Sequence, residues 1–391
     1  MKSATPLPPR LPWALLAAAG LGSFAATSSG TTRAPFLLDM AADLDVSMPL
    51  VANLVSLTSI TWGVTSAVGG WVSDRIGRKP VLVSGLSTLA IAMAAQALAG
   101  SFFWIAVWAA AGGACCGAFM GTIFAEVSAH VPDSQRGRAM GWVMTGQSLT
   151  LVVGVPMAAA VGALIGWRGW FWCVAALALL ASLFLVFTVG RGSAGHTRSG
   201  SPSWRAALSP RVLGLLGTGI AERICYGLAA IYYATFLQST YHLSLVELAI
   251  PLAVFALGNV AGTLLGGQLA DRFRDRLIVF AAAMALSAVA ALALFLWHPG
   301  VEASVALGFL YVLFNALGRP PYMASLAAVP EAVRGTVLGL NGATASVGWI
   351  GAAALGAAMI GWTGFEGFGP LAAVLGAAAA VGALLNRRRR A

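Results

Sequence analysis

Long apolar stretches recur along the whole chain, and they constrain its fold more than any other feature. Each is long enough for a helix to cross about 30 Å of hydrocarbon, which takes about 20 residues. Of the 391 residues, 59% are apolar and 9% are charged, whereas a soluble domain carries about 25% charged residues. The composition therefore excludes a soluble fold. The stretches are continuous and rich in Ala and Leu, so they predict helices rather than alternating barrel strands.

The apolar stretches predict an all-α membrane protein with twelve spans in two six-helix halves. The predicted spans are residues 11–37, 47–72, 80–99, 102–128, 137–165, 169–190, 211–239, 246–270, 277–297, 302–328, 335–360 and 367–386. A polar segment rich in Ser, Gly and Arg at 191–210 predicts a cytoplasmic linker between an N-terminal half (1–190) and a C-terminal half (211–391). The basic, then apolar N-terminus also resembles a secretory signal, but we expect the first helix to be retained because the two-half arrangement needs it.

The distribution of Lys and Arg predicts the orientation. With the N-terminus inside, 19 of the 23 basic residues fall on the cytoplasmic side, where positive charge accumulates. The four exceptions are Arg33, Arg168, Arg223 and Arg319. We therefore expect a multi-pass protein of a bacterial-type inner membrane with both termini in the cytoplasm. Since the formal charge of +10 resides mainly in these loops, it does not indicate nucleic-acid binding.

The two halves also resemble each other in sequence. VPDSQRGRAMG at 131–141 aligns with VPEAVRGTVLG at 329–339, an offset of 198 residues. GGWVSDRIGRK at 69–79 aligns with GGQLADRFRDR at 266–276, an offset of 197. Because the two matches have nearly the same offset, they predict an internal repeat of the kind found in transporters.

The loop after the second predicted span reads GWVSDRIGRKPVL at 70–82. It resembles the loop signature of the major facilitator superfamily, G-x-L-x-D-R-x-G-R-[RK]-x-x-L. The resemblance extends along the chain and implies the fold of the 12-helix drug/proton antiporter-like efflux members. It also implies a conformational latch between the cytoplasmic ends of the halves, formed by Gly70, Asp74, Arg75, Gly77, Arg78 and Asp271. Alternatively, these basic residues only follow the positive-inside rule. In the second copy of the loop, at 266–276, Arg274 stands where the signature has its second glycine, which predicts a weaker latch there.

The fifth predicted span partly resembles the glycine and proline signature of the efflux members. Gly146, Gly154 and Pro156 fit that signature, which favours export, although such residues also bend a helix and pack closely whatever the direction of transport. In the fourth span, Trp108 stands where many antiporters carry an arginine. That departure argues against the usual proton relay of the antiporters.

Ionisable residues lie within the apolar spans of the second half. Glu222 and Arg223 fall near the middle of the seventh span, and Arg319 lies about 15 Å before the inner end of the tenth. Such a residue costs at least about 2.5 kcal/mol at mid-membrane, so it normally faces a cavity and has a partner. Glu222 is therefore the candidate for proton coupling, with a separate partner from Arg223. The alternative is a permanent ion pair with an arginine such as Arg319.

Several polar and aromatic residues are candidates for lining the substrate cavity. Pro320 and Pro321 predict a break in the tenth span beside Arg319, which suits an anionic group. Tyr232 and Tyr233 could contribute aromatic contacts, although aromatic residues in membrane helices more often only pack. The candidates are Arg33, Gln147, Arg223, Tyr226, Asn315 and Arg319.

Motifs of other chemistries are missing from the sequence. It contains no G-x-x-x-x-G-K-[ST] for ATP, no H-E-x-x-H and no G-x-S-x-G. We therefore expect a transporter rather than an enzyme, with no cofactor or metal, driven by a gradient such as that of protons. The expected partners are a small-molecule substrate and the lipid bilayer, and one chain suffices as a monomer.

Three functional hypotheses follow from these features. The first is proton-coupled export of small organic molecules by alternating access. The second is import or facilitated passage of an organic anion, suggested by Arg33, Arg223 and Arg319. The third is a membrane sensor or scaffold that does not transport, which the intact loop around Asp74 disfavours.

Overall fold

The computed structural model describes residues 12–131, 135–190, 209–297, 300–328 and 331–388, and these contain helices and no strands. The α-helices are α1 Trp13–Thr31, α2 Leu37–Asp43, α3 Met48–Ala52, α4 Leu54–Ile76, α5 Arg78–Leu98, α6 Phe102–Ala129, α7 Arg136–Leu149, α8 Val155–Thr188, α9 Pro210–Tyr241, α10 Leu245–Arg272, α11 Arg276–Trp297, α12 Val301–Leu326, α13 Glu331–Trp362 and α14 Phe368–Arg388. The predicted all-α fold is confirmed. The predicted linker lies almost wholly outside the described residues.

Ten helices in the described part of the chain are long and apolar enough to cross a membrane. One of them, Ala139–Thr188, contains two predicted spans, because the backbone turns at Gly166 with φ +72° and ψ 172°. Only glycine adopts that conformation readily. These ten helices therefore account for eleven predicted spans. The remaining one, the first, corresponds to α1, so the described helices account for all twelve predicted spans.

Proline explains two local departures from the predicted spans. The first span was predicted to reach residue 37, but α1 ends at Thr31 and a 3₁₀ turn follows at Ala34–Phe36. Pro35 has no N–H to donate to the carbonyl of Thr31. Between α7 and α8, a π-helical turn at Thr150–Gly154 precedes Pro156, which likewise lacks an N–H.

The predicted break at Pro320 and Pro321 is wrong, because α12 continues through both residues to Leu326. The two prolines do remove the donors for the carbonyls of Ala316 and Leu317. However, the backbone there is held by close packing against α10, where a Cβ at Gly266 would lie 2.2 Å from the carbonyl oxygen of Leu317. Neighbouring helices commonly stabilise such prolines in membrane proteins.

Glycines bring corresponding pairs of helices together in the two halves. On α6, Gly113 and Gly117 lie against the backbone of α4 at Thr58 and Trp62. On α10, a Cβ at Gly262 would lie 2.2 Å from the carbonyl oxygen of Leu313 on α12. These are the second and fourth spans of each half, so the same close packing occurs at equivalent places in the repeat.

The two halves meet along α8 and α10 and along α4 and α13. The hydroxyl of Ser56 donates to the carbonyl of Ile350 at 3.3 Å, and a Cβ at Gly63 would lie 3.0 Å from the hydroxyl of Ser346. Following the predicted orientation, we call the end of the molecule with the turns at 32–47, 99–101 and 242–244 the outer end, and the other the inner end. These contacts between the halves lie from the middle of the helices toward the outer end.

Candidate functional site: a buried charged cluster

An ion pair between Glu222 and Arg319 lies inside the C-terminal half. Glu222 is on α9 with 1% of its side chain exposed, and Arg319 is on α12 with 17% exposed. The Nε of Arg319 donates to the Oε1 of Glu222 at 2.7 Å. A charge-assisted hydrogen bond this short is stronger than one between neutral groups. The pair therefore offsets part of the cost of placing both charges in the membrane interior.

Arg319 is held from three helices. Its Nη2 donates to the Oδ1 of Asn315 at 3.2 Å, and its Nη1 donates to the Oδ1 of Asn259 on α10 at 3.4 Å. The guanidinium carbon also lies 3.9 Å from the ring centroid of Tyr226 on α9, which favours a cation. The guanidinium is thus surrounded by one carboxylate, two amide oxygens and a ring face.

Two tyrosines on α12 fix the position of α9 on either side of the ion pair. The hydroxyl of Tyr311 donates to the carbonyl of Cys225, and that of Tyr322 donates to the carbonyl of Leu215. Both rings are almost fully buried. Since a buried hydroxyl without a partner is costly, these bonds hold the two helices in register around Glu222.

Arg223 shares the same carboxylate. Its Nε lies 3.5 Å from the Oε2 of Glu222, and 27% of its side chain is exposed. The sequence predicted separate partners, since neighbouring side chains diverge by about 100° around a helix. That prediction is wrong, because the long arginine side chain reaches back to Glu222. Two guanidinium groups and one carboxylate give this cluster a formal charge of +1.

A cavity lies beside the cluster, between the two halves. Tyr226 and Asn259 belong both to its wall and to the contacts of Arg319. Tyr233 stacks on Phe255 at a centroid distance of 5.1 Å. The lining residues are Thr31, Leu151, Val155, Tyr226, Ala229, Ala230, Tyr233, Ala234, Leu252, Phe255, Ala256 and Asn259. Most of this wall is apolar, and two of its polar residues, Tyr226 and Asn259, contact Arg319.

Arg33 lies apart from this cluster, in the N-terminal half. It is 3% exposed. Its Nη1 donates to the hydroxyl of Thr58 at 3.1 Å and its Nη2 to the Oε1 of Gln96 at 2.9 Å, while the ring of Phe171 lies 6.0 Å away. Within the described part of the chain, these hydrogen-bond partners are neutral.

Other candidates lie elsewhere. Gln147 donates to the sulfur of Met120 at 3.7 Å, and the hydroxyl of Tyr232 donates to the carbonyl of Ala353 at 2.6 Å. Gly146 allows a close crossing of α7 and α1, since a Cβ there would lie 2.1 Å from the carbonyl oxygen of Gly20. Gly154 ends the π-helical turn, and Pro156 lies in the first turn of α8, which begins at Val155.

The residues predicted to form the latch lie at the inner end. Gly77 joins α4 to α5 with φ +92°, and Arg78 lies 3.5 Å from the Oε2 of Glu126, which is fully buried on α6. Arg75 and Asp271 are exposed, Gly70 lies on α4, and the side chain of Asp74 lies outside the described residues. The Arg78 contact joins two helices of the same half, so a latch between the halves stays a prediction.

Sequence reasoning did not single out Asn259 or Glu126. Both are polar residues within otherwise apolar spans, the signal that identified Glu222. Asn259 directly follows Gly258, on the part of α10 that packs against α12, which places its amide near Arg319.

Comparisons with known proteins agree with this architecture. The family model described as Major Facilitator Superfamily matches residues 19–253 and 215–391. The chain is 30% identical over 161 residues to the MFS-type transporter YwfA of Bacillus subtilis, covering 41% of this chain but only 39% of YwfA. It is 25% identical to a chloramphenicol resistance protein of Streptomyces lividans, covering 74% of this chain and 78% of that protein.

A similar solved structure is that of a bacterial homologue of the human lysosomal transporter Spinster, in an inward-facing, occupied conformation. The two superpose with a TM-score of 0.77 at 17% sequence identity, covering 95% of this chain and 96% of the other. At that identity, the likeness shows a shared fold.

Proposed function

The chain belongs to the major facilitator superfamily, and from that premise we propose that it exports small organic molecules in exchange for protons by alternating access. Membership makes it a multi-pass membrane transporter of small molecules rather than an enzyme. The proposal adds the direction, the coupling ion and the residue that carries the coupling.

The observation that carries the proposal is the buried contact between Glu222 and Arg319, at the edge of a cavity between the halves. The contact ties α9 to α12. A proton that binds Glu222 removes its negative charge, so the ionic attraction to Arg319 is lost and the hydrogen bond between them weakens. The helices around the cavity are then free to adopt a second arrangement, so proton binding biases the equilibrium between the two states.

The contacts between the halves support an inward-open stage of this cycle. Ser56 and Gly63 on α4 lie against Ile350 and Ser346 on α13, from mid-helix toward the outer end. The Spinster homologue is described as inward-facing. In such a state the substrate enters from the cytoplasm, and the proton on Glu222 is released there.

Export is supported by the partial signature of Gly146, Gly154 and Pro156 and by the similarity to a chloramphenicol resistance protein, which suggests a small organic substrate. The Lys and Arg distribution supports an inner-membrane location with both termini cytoplasmic. We further propose that one chain, without a cofactor, forms the complete pathway.

Uptake or facilitated passage of an organic anion is the second candidate. It is favoured by the charge of the cluster, in which two guanidinium groups share one carboxylate. The two candidates differ in the proton movement that accompanies the substrate: exchange moves protons in the opposite direction, whereas uptake moves them in the same direction and facilitated passage moves none.

Proton flux in proteoliposomes tests the proposal. Vesicles loaded with a pH-sensitive dye and carrying the purified protein receive candidate substrates such as chloramphenicol. Exchange predicts that substrate and protons move in opposite directions, and that Glu222→Gln uncouples them. Co-movement in one direction would instead support the second candidate. Transport without proton movement, unchanged by Glu222→Gln, would overturn the coupling role of Glu222.

A further inference from the structure

Arg223 is a cation inside the protein whose terminal nitrogens have no hydrogen-bond partner among the described residues. Its contact with Glu222 runs through Nε at 3.5 Å, which is too long for a strong hydrogen bond. The better-placed Oε1 of Glu222 belongs to Arg319. The two Nη groups of Arg223 are therefore available to a ligand without displacing the Glu222–Arg319 pair.

Packing fixes the path of the Arg223 side chain. A Cβ at Gly348 on α13 would lie 2.3 Å from the Cβ of Arg223, so the arginine passes directly over the glycine. Tyr226 is one turn further along α9, on the same side of the helix as Arg223, and its ring meets that of Trp349 edge to face at 5.8 Å. Arg223 and the wall of the cavity thus adjoin through Tyr226.

The charge of the cluster and the apolar lining of the cavity indicate which kind of ligand would fit them. The cluster carries a formal charge of +1, so one negative charge on the ligand neutralises it. A guanidinium presents paired donors that match a carboxylate. Beyond Tyr226 the cavity wall is mainly apolar, with Leu151, Leu252 and Phe255.

We propose that the transported molecule is a small monoanionic organic acid, whose carboxylate binds Arg223 and whose apolar body packs against the cavity wall beyond Tyr226. This inference rests on the proposed transport function and names its substrate class. It holds for either direction of transport. Glu222 and Arg319 stay paired on binding, so Arg223 recognises the anion while Glu222 remains available for protons.

Equilibrium binding to the full-length protein in detergent tests the inference. The probes are 4-phenylbutyrate, the neutral 4-phenylbutyramide and the cationic 4-phenylbutylamine, which share a body and differ in charge. We expect the acid to bind about 10- to 100-fold more tightly than the amide, as charge-assisted hydrogen bonds allow. The amine should bind most weakly. Equal affinities, or tightest binding of the amine, would overturn the inference.

Three variants locate the anion site. Arg223→Gln should reduce the preference for the acid to within about threefold, since Gln lacks the charge, and Arg223→Lys should retain part of it. Gly348→Ala keeps the charge but places a Cβ 2.3 Å from that of Arg223, which displaces the arginine together with its part of α9, so it should weaken acid binding as well. Arg274→Gln removes an exposed arginine at the inner end and is the matched control. An unchanged preference in Arg223→Gln would refute the assignment.

The preference for acid over amide in the wild-type protein is informative even where a variant does not fold. The binding assay and the proton-flux assay also have independent outcomes, so a failure of one proposal can be told from a failure of the other. Acid preference without proton movement would contradict the coupling role of Glu222 and leave this inference intact. Proton movement driven only by neutral or cationic substrates would contradict this inference and leave the coupling role of Glu222 intact.

Discussion

Replacing Arg319 by Met should destabilise the protein more than replacing Glu222 by Gln, and the double variant should recover stability. Arg319→Met strands a buried carboxylate, and breaking a buried pair in this way costs about 3–5 kcal/mol. Arg223 remains 3.5 Å from Glu222, which places the expected cost near the lower end, about 3 kcal/mol. At about 2 °C per kcal/mol for a long chain, the melting temperature should fall by about 6 °C.

Glu222→Gln leaves Arg319 and Arg223 without a carboxylate, but these side chains are 17% and 27% exposed, whereas Glu222 is 1% exposed. Arg319 also keeps its bonds to Asn259 and Asn315 and gains an amide oxygen as an acceptor. We expect a loss of about 1–2 kcal/mol, or about 2–4 °C. The double variant contains no stranded carboxylate, so it should melt near Glu222→Gln and above Arg319→Met. Thermal unfolding in detergent, followed by circular dichroism, measures all four proteins. Additive shifts, with the double variant the least stable, would refute a coupled pair.

Three further variants test the packing and the turns in the same thermal assay. Gly262→Val should lower the free energy of unfolding by roughly 1–3 kcal/mol through overpacking against α12. Gly267→Val is the control, since Gly267 has open space around it, and it should cost less. Equal effects of the two variants would contradict the close contact between α10 and α12. Gly166→Ala should cost about 1–3 kcal/mol because of its positive φ, and Gly361→Ala, also with open space, should not destabilise the protein. Arg33→Met should leave the melting temperature unchanged or raise it. The hydrogen-bond partners of Arg33 are neutral, so the substitution strands no carboxylate. A fall in melting temperature as large as that of Arg319→Met would instead indicate that Arg33 has an anionic partner.

The twelve spans were predictable because a membrane imposes a length and a composition on every helix that crosses it. The importance of Glu222, Arg223 and Arg319 was also predictable, since the insertion cost of charge leaves few unexplained ionisable residues in a span. Arg319 and Asn315 do lie together, as their spacing of one turn implies.

The partners of these residues were less predictable, because they depend on which helices meet and at what height. Asn259 approaches Arg319 only through the close packing of α10 on α12. The contact between Arg223 and Glu222 depends on a rotamer rather than on helical spacing. The continuous helix through Pro320 likewise depends on support from α10, which the local sequence does not reveal.

Crosslinking the halves tests alternating access most directly. Gly63 and Ser346 face each other across the interface, with Cβ positions 3.2 Å apart, close to the separation of about 3.5–4.5 Å in a disulfide. In the double variant Gly63→Cys and Ser346→Cys, a disulfide should form under mild oxidation and hold the outer side closed. Transport in proteoliposomes should stop on oxidation and return on reduction, while the single-cysteine variants remain active throughout. Full transport by the crosslinked protein would contradict alternating access.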